Sequence, residues 1–295
     1  MRKIGALEAG GTKMVLAVYD EAGTELNRLT LPTEDPSVTL PLMTAYFRDH
    51  AVDALGVGSF GPLDLNPLSP TYGSITTTPK LSWRHVPLLD VLKDGRDIPA
   101  GIDTDVNAAV IAEAELGAAA GCENAVYVTI GTGIGGGVYS GGKTVHGMLH
   151  PEVGHMLIRS HPDDPIPEGV CPYHKGCLEG LAAGPAITVR AGCDARNLPD
   201  DHPVFEIEAY YLAQMCMNLI LTVSPERIIL GGGVMQRGAL LPMVRKEVQR
   251  LLGGYVDHPL VKESIDQYIV APELYPVSGL VGSYLIGKRA LNHHD

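Results

Sequence analysis

The apolar positions of this chain come in short runs broken by glycine. Residues 4–20, IGALEAGGTKMVLAVYD, are an apolar run, a glycine turn and a second apolar run. That pattern predicts two strands and a tight turn. It recurs at 125–143 as AVYVTIGTGIGGGVYSGGK. Two such hairpins point to two related lobes rather than a solenoid, since no short repeat is visible. Between them the spacing predicts a helix near 36–50, a strand over 54–60, a Pro/Thr-rich loop to about Trp83 and a strand near 98–103. The alanine-rich DVNAAVIAEAELGAAAG, 105–121, predicts a helix with Gly121 at its C-terminal end. Residues 146–178 are rich in Pro, His and Gly, and irregular stretches that long are usually functional or disordered. Residues 204–225 predict one long buried helix that stops before Pro225, with its Met and Tyr in the core. RIILGGGVMQ, 227–236, reads as a strand ending in glycines ahead of another helix, and 280–291 as a final helix. Strand–helix alternation of this kind gives an α/β class. The expected division is a small lobe over 1–115, a large lobe over 116–279, and residues 280–295 packing back on the first.

Composition narrows the class. Apolar residues make up 45% of 295, enough for one large domain or two ordinary lobes. A formal net charge of −12 speaks against a nucleic-acid footprint. It leaves anionic small molecules open, because a glycine loop or a bound cation overrides the global sign locally. No apolar run reaches transmembrane length, and Glu8 and Lys13 interrupt any leader-like start. A cytoplasmic protein without a membrane partner is the expectation. Five cysteines are an odd count and a poor basis for a disulfide framework. Cys122, Cys193 and Cys216 read as small buried hydrophobes.

Three glycine turns each follow an apolar strand: Gly10–Gly11–Thr12–Lys13, Gly131–Thr132–Gly133 and Gly231–Gly232–Gly233. Glycines there let backbone N–H groups approach phosphate oxygens. None is a P-loop, and no GxGxxG stands convincingly at a strand–helix junction. The three together fit a nucleotide clasped between two lobes. In DTDVNAAV, Asp105 and Asn107 stand where a strand gives way to the alanine-rich helix. Position alone favours Asp105 as an N-cap. The alternative is a carboxylate that takes the proton of an attacking hydroxyl in phosphoryl transfer. In HPEVGHM, Glu152 and His155 are spaced to point the same way in one turn. Downstream, CPYHKGC brings Cys171, His174 and Cys177 at equal steps. With His155 they make four N/S ligands, enough to close a tetrahedral zinc site with no open position, so the metal is expected to be structural. A redox pair would need Cys-x2-Cys, which these thiols lack.

Together these residues resemble the ROK family of sugar kinases (repressors, open reading frames and kinases) over essentially the whole chain. The resemblance implies an actin-like, hexokinase-type ATPase fold with two ribonuclease-H-like lobes and a structural zinc loop. It implies that Gly10–Lys13 and TIGTGIGGG (129–137) are the two phosphate loops, that LGGGV (230–234) is the adenosine loop, and that Gly184 adds to the nucleotide contacts. Asp105 matches the general base. Asn107, Glu152, His155 and Glu179 match the sugar ligands, and the 171–180 stretch matches the zinc motif. Glu8 stands where the family pattern has Asp, in reach of a magnesium shell through water, and His174 stands where the commoner zinc set has Cys. With GSFGP (58–62) and TTTPK (76–80), these departures resemble the bacterial fructokinase branch. The implied activity is transfer of phosphate from ATP, with Mg2+, to a hexose: fructose at O6, or alternatively glucose, mannose or another hexose. A homodimer is also implied. A non-enzymatic sugar sensor is the alternative of another class. With seven residues ahead of Glu8, the DNA-binding domain of the family's repressors is expected to be absent.

Overall fold

The two glycine-linked hairpins form as the pattern predicts, and each becomes the centre of a five-stranded mixed sheet. The computed structural model describes residues 2–293, so the last two residues of the expected 280–295 segment lie outside the described residues. The chain divides into two compact units. The first comprises Met1–Glu115, Thr144–Pro151 and Pro276–Asp295, and the second Leu116–Lys143 and Glu152–Tyr275.

In the first unit the strands are β1 (Lys3–Ala9), β2 (Lys13–Asp20), β3 (Glu25–Pro32), β4 (Ala54–Ser59) and β5 (Ala100–Thr104), in the order β3-β2-β1-β4-β5. β1 and β2 are antiparallel, as are β2 and β3, while β1, β4 and β5 run parallel. β4 is buried at every position. On one face it meets the C-terminal helix, Ser278–Asn292, which also packs on β1 and β5. A Cβ on Gly56 would fall 1.8 Å from the Ser283 carbonyl oxygen, so only glycine lets that helix sit so close. Apolar side chains of α1 (Pro36–Asp49), Met43 and Phe47 among them, join Leu7, Leu55 and Val57 in one core cluster. Asp35 caps α1, accepting from the Ser37 N–H at 3.0 Å, and Pro36 takes the first turn where its missing donor costs nothing. The mostly exposed β3 carries too little apolar alternation to be read from sequence.

The helix after β5, α2 (Asp105–Leu116), ends five residues before Gly121. Gly117 breaks it, and the chain turns with Ala120 N–H donating to the Gly117 carbonyl at 2.9 Å. Gly121, at φ +85°, belongs to that later turn and does not close the helix.

The second unit repeats the scheme. Its strands β6 (Ala125–Ile130), β7 (Ile134–Ser140), β8 (Lys143–Thr144), β9 (Arg227–Gly231) and β10 (Ile269–Val270) lie in the order β10-β9-β6-β7-β8. β6 and β7 form the antiparallel hairpin, and β6, β9 and β10 are parallel. Strand for strand this is the order of the first sheet, a central hairpin extended by parallel crossovers. Two mixed sheets of this order fit the actin-like ATPase fold. Short helices α3 (Leu178–Ala182) and α4 (Gly184–Ala191) follow the irregular stretch. The long α5 (Val204–Thr222) buries Leu212, Met215, Cys216 and Leu219 in the core and stops short of Pro225. α6 (Leu240–Leu252) presents Leu240, Val244, Val248 and Leu252 at four-residue steps to the same core. Among the described residues, no helix is long and apolar enough to cross a membrane.

Candidate active site

In the first unit, Asp105 is not the cap of its helix. Thr104 takes that role, its Oγ1 accepting from the Asn107 N–H at 3.1 Å. Asp105 therefore opens α2 with its carboxyl uncommitted to the cap, and Oδ1 accepts from the Val106 N–H at 2.9 Å. Part of the residue's surface is accessible, yet the carboxyl lies deep enough that burial pushes it up to about 6. Asn107 is buried. Its Nδ2 donates to Asp103 Oδ1 at 2.7 Å, and its Oδ1 has no hydrogen-bond partner among the described residues. Asp103 also accepts from Thr144 Oγ1 at 2.9 Å and lies 3.0 Å from His146 Nε2. Nothing in the local sequence marks these partners beyond the four-residue step from Asp103 to Asn107.

Glu8, on β1, lies close enough to feel the Asp105 charge. Burial first, then Asp105, raises its carboxyl to about 7, while Lys13, Arg28 and the Leu280 N–H pull it back. The Glu8 carboxylate also sits at the start of the C-terminal helix, 2.7 Å from where a Cβ on Gly279 would stand. The positive end of that helix faces it. The first glycine turn closes with Gly10 N–H donating to the Lys13 carbonyl at 2.9 Å, and Gly11, Thr12 and Lys13 are exposed.

In the second unit, Gly131, Thr132 and Gly133 link β6 to β7, with Gly131 N–H donating to Gly133 O at 2.9 Å. Gly184 N–H donates to Gly131 O at 2.8 Å, which sets the start of α4 against this turn. Gly232, at φ +90°, follows β9 and lies against the backbone of Ile130; Gly231 lies beside the Tyr127 hydroxyl, and Gly233 is open on its side-chain face. The predicted glycines of this unit thus gather at the ends of β6 and β9. Glu179, on α3, joins them. Its Oε2 accepts from the Ile134 N–H at 2.9 Å and would meet a Cβ on Gly133 at 2.7 Å.

His155, Cys171, His174 and Cys177 converge, with one ligand atom from each lying within 4.8 Å of all the others. Cys171 Sγ is 4.0 Å from His174 Nδ1, and Cys177 Sγ is 3.8 Å from His155 Nδ1. A tetrahedral zinc with bonds of about 2.3 Å to sulfur and about 2.0 Å to nitrogen has N–S edges of roughly 3.5 Å. The donor set fits that ion in kind and in spacing. Burial pushes the Cys177 thiol up to about 11, so a cation is what would hold it as thiolate. The other ring nitrogen of His155, Nε2, is 4.0 Å from Glu179 Oε1. Glu152 is exposed and directly precedes the 3-10 turn Val153–His155.

Behind α3 is a buried ionic cluster that the sequence did not announce. Arg190, on α4, makes a two-point bond to Asp164, with Nε–Oδ1 at 3.0 Å and Nη2–Oδ2 at 2.8 Å. It also donates to the Leu181 carbonyl at 2.6 Å, and Tyr211 donates to Asp164 Oδ2 at 2.6 Å. Glu208 faces Arg190 Nη1 at 3.9 Å. Burial pushes its carboxyl well up, so the charge of Arg190 is balanced by Asp164.

A sequence model described as the ROK family matches residues 4–290. The chain belongs to the ROK family. The fructokinase of Pediococcus pentosaceus is 44% identical over 290 residues, 98% of this chain and 99% of that one. The fructokinase of Lactococcus lactis subsp. cremoris is 43% identical over 268 residues, 91% of this chain and 90% of that one. Among solved structures, a ROK family glucokinase from Streptomyces griseus in complex with glucose and AMPPNP is 26% identical, with a TM-score of 0.76 over 97% of this chain and 99% of that one.

Proposed function

We propose that this ROK protein is a fructokinase, transferring the γ-phosphoryl group of ATP to O6 of D-fructose. The observation that carries the reading is 43–44% identity, over nearly the full length of both partners, to two fructokinases. Initial rates of ADP formation with fructose, mannose and glucose, with and without Mg2+, test it. Fructose is expected to give the highest kcat/KM and omission of Mg2+ to stop turnover. A preference for glucose overturns the assignment.

In this reading Asp105 orients the hydroxyl and takes its proton as O6 attacks, and ADP leaves with the electron pair of the broken P–O bond. A buried carboxyl with its pKa raised to about 6 is still mostly ionised at neutral pH, and is a better base than an exposed one. Backbone amides of Gly10–Thr12 and Gly131–Gly133 hold the β- and γ-phosphates, with Lys13 and Thr132 contributing side chains. Gly184 and Gly231–Gly233 border the remainder of the nucleotide. Mg2+ bound with ATP would offset charge on the phosphates, and Glu8, when ionised, would reach its water shell. Glu152, His155 and Glu179 take sugar hydroxyls, and Asn107 serves from its buried position beside Asp105.

His155, Cys171, His174 and Cys177 would hold a structural zinc, which supplies a cross-link and no chemistry. One zinc per chain is expected by metal analysis of protein prepared without chelator. His174→Ala is expected to lose most of it and to raise the KM for sugar, because Cys177 caps α3 and α3 carries Glu179. Metal-free protein with full sugar affinity would remove zinc from this account.

A further inference from the structure

Two histidines stand four residues apart on the segment Thr144–Pro151, and they are used differently. His150 is buried and committed to the fold: its Nε2 accepts from the Leu63 N–H at 3.1 Å, and burial holds the ring below its ordinary pKa. His146 leaves 40% of its side chain exposed, while its Nε2 is anchored on a carboxylate whose own side chain is only 6% exposed. That carboxylate, Asp103, receives four donors: the Thr104 N–H at 2.8 Å, Asn107 Nδ2 at 2.7 Å, Thr144 Oγ1 at 2.9 Å and His146 Nε2 at 3.0 Å.

The chemistry of Asp103 fixes the orientation of both neighbours. A carboxylate only accepts, so Nε2 of His146 carries a hydrogen and Nδ2 of Asn107 must face Asp103. The 3.4 Å approach of Asn107 Nδ2 to His146 Nε2 is then donor beside donor, a contact imposed by the shared acceptor and not a bond. Two consequences follow. Asn107 is held with Oδ1 turned away from Asp103 and unpaired. The His146 ring is held with its Nδ1 edge free for a partner, and none is recorded for that atom among the described residues. Asp103 stands two residues before Asp105, at the end of β5, and Asn107 two residues after it, in the first turn of α2.

We propose that His146 contacts the sugar through Nδ1 and sets which hexose is accepted, with Asp103 as the positioning residue that aims it. The inference rests on the kinase reading above. The buried carboxylate already holds the imidazole in one orientation, so a ligand that meets its free edge does not have to order the ring. Hexoses differ in where their hydroxyls point. A fixed acceptor discriminates between them because a wrong hydroxyl leaves a partner unpaired. Asp103 also holds the imidazole above its ordinary pKa, so the protonated ring offers Nδ1–H to a sugar oxygen instead. Nδ1 is a hydrogen-bonding atom in either state.

The test compares wild type, His146→Leu, His146→Gln and Asp103→Asn with fructose, mannose and glucose at saturating ATP, and with ATP varied at saturating fructose. His146→Leu is expected to raise the KM for fructose about tenfold and to shift the fructose-to-mannose ratio of kcat/KM by at least about fivefold, the scale of one lost hydrogen bond to substrate. The KM for ATP should stay within about twofold, and kcat should fall far less than kcat/KM. His146→Gln, which retains a polar terminus, should recover part of the sugar affinity. Asp103→Asn should shift the ratio in the same direction by less. Two results overturn the proposal: an unchanged hexose ratio in His146→Leu, or an equal loss for every sugar and for ATP together with a lowered melting temperature, the mark of a purely structural pair. Wild type without hexose turnover would instead remove the kinase reading itself, so the two failures are told apart in the same assay.

Discussion

Replacement of Asp105 by asparagine is expected to lower kcat by about 10²–10⁴, the range general bases supply, while ATP still binds. The substitution keeps the size of the side chain and removes only the ability to take a proton. Thr104 remains to cap α2, so the helix start should survive the change. The pH profile gives an independent reading. Protonated Asp105 cannot act as a base, so wild-type kcat/KM should fall as pH drops through about 6. In Asp105→Asn that limb should shrink to the Glu8 contribution, moved to lower pH because the Asp105 charge no longer raises the Glu8 carboxyl. Glu8, raised to about 7 and within reach of the Asp105 charge, titrates nearby, so the observed value belongs to the pair. Near-normal turnover in Asp105→Asn would dismiss Asp105 as the base, whatever the profile.

The second large effect concerns stability. Asp164→Ala is expected to cost about 3–5 kcal/mol, because it strands a buried guanidinium. Arg190 is 2% exposed at its side chain and Asp164 is wholly buried. Glu208 cannot take over the counter-charge without ionising in the core, which burial opposes. Denaturant midpoints of wild type and variant measure the loss. A change under about 1 kcal/mol would put the cluster in the class of surface pairs. The double change of Asp164 and Arg190 to apolar residues should recover much of the loss, since it removes the orphaned charge with its partner.

The reason some features could be read from sequence and others could not is physical. The hairpins at 4–20 and 125–143 were legible because glycine breaks an apolar run in only a few ways. The metal cluster was legible because three of its ligands lie in one seven-residue stretch. β3 was hidden because an edge strand with little burial keeps no strong alternation. The end of α2 was misplaced because alanine continues past Gly117, and alanine propensity masks a break that one glycine suffices to make. Asp105 read as a cap because Asp and Thr compete for that role; only the bond from Asn107 N–H to Thr104 decides between them. The Asp103–His146 and Asp164–Arg190 pairs join residues 43 and 26 positions apart, respectively, and nothing in local spacing marks such partners.

Glu179 is shared between two neighbourhoods. One oxygen accepts from the backbone of the glycine hairpin, and the other stands 4.0 Å from a histidine of the metal cluster. On the proposed reading, the hairpin answers to nucleotide and the cluster to zinc. Free energy passed between them through one carboxylate is reciprocal: whatever factor zinc lends to nucleotide affinity, nucleotide returns to zinc affinity. Where zinc tightens nucleotide binding, such an enzyme loses its metal most readily when idle and retains it best when ATP is plentiful.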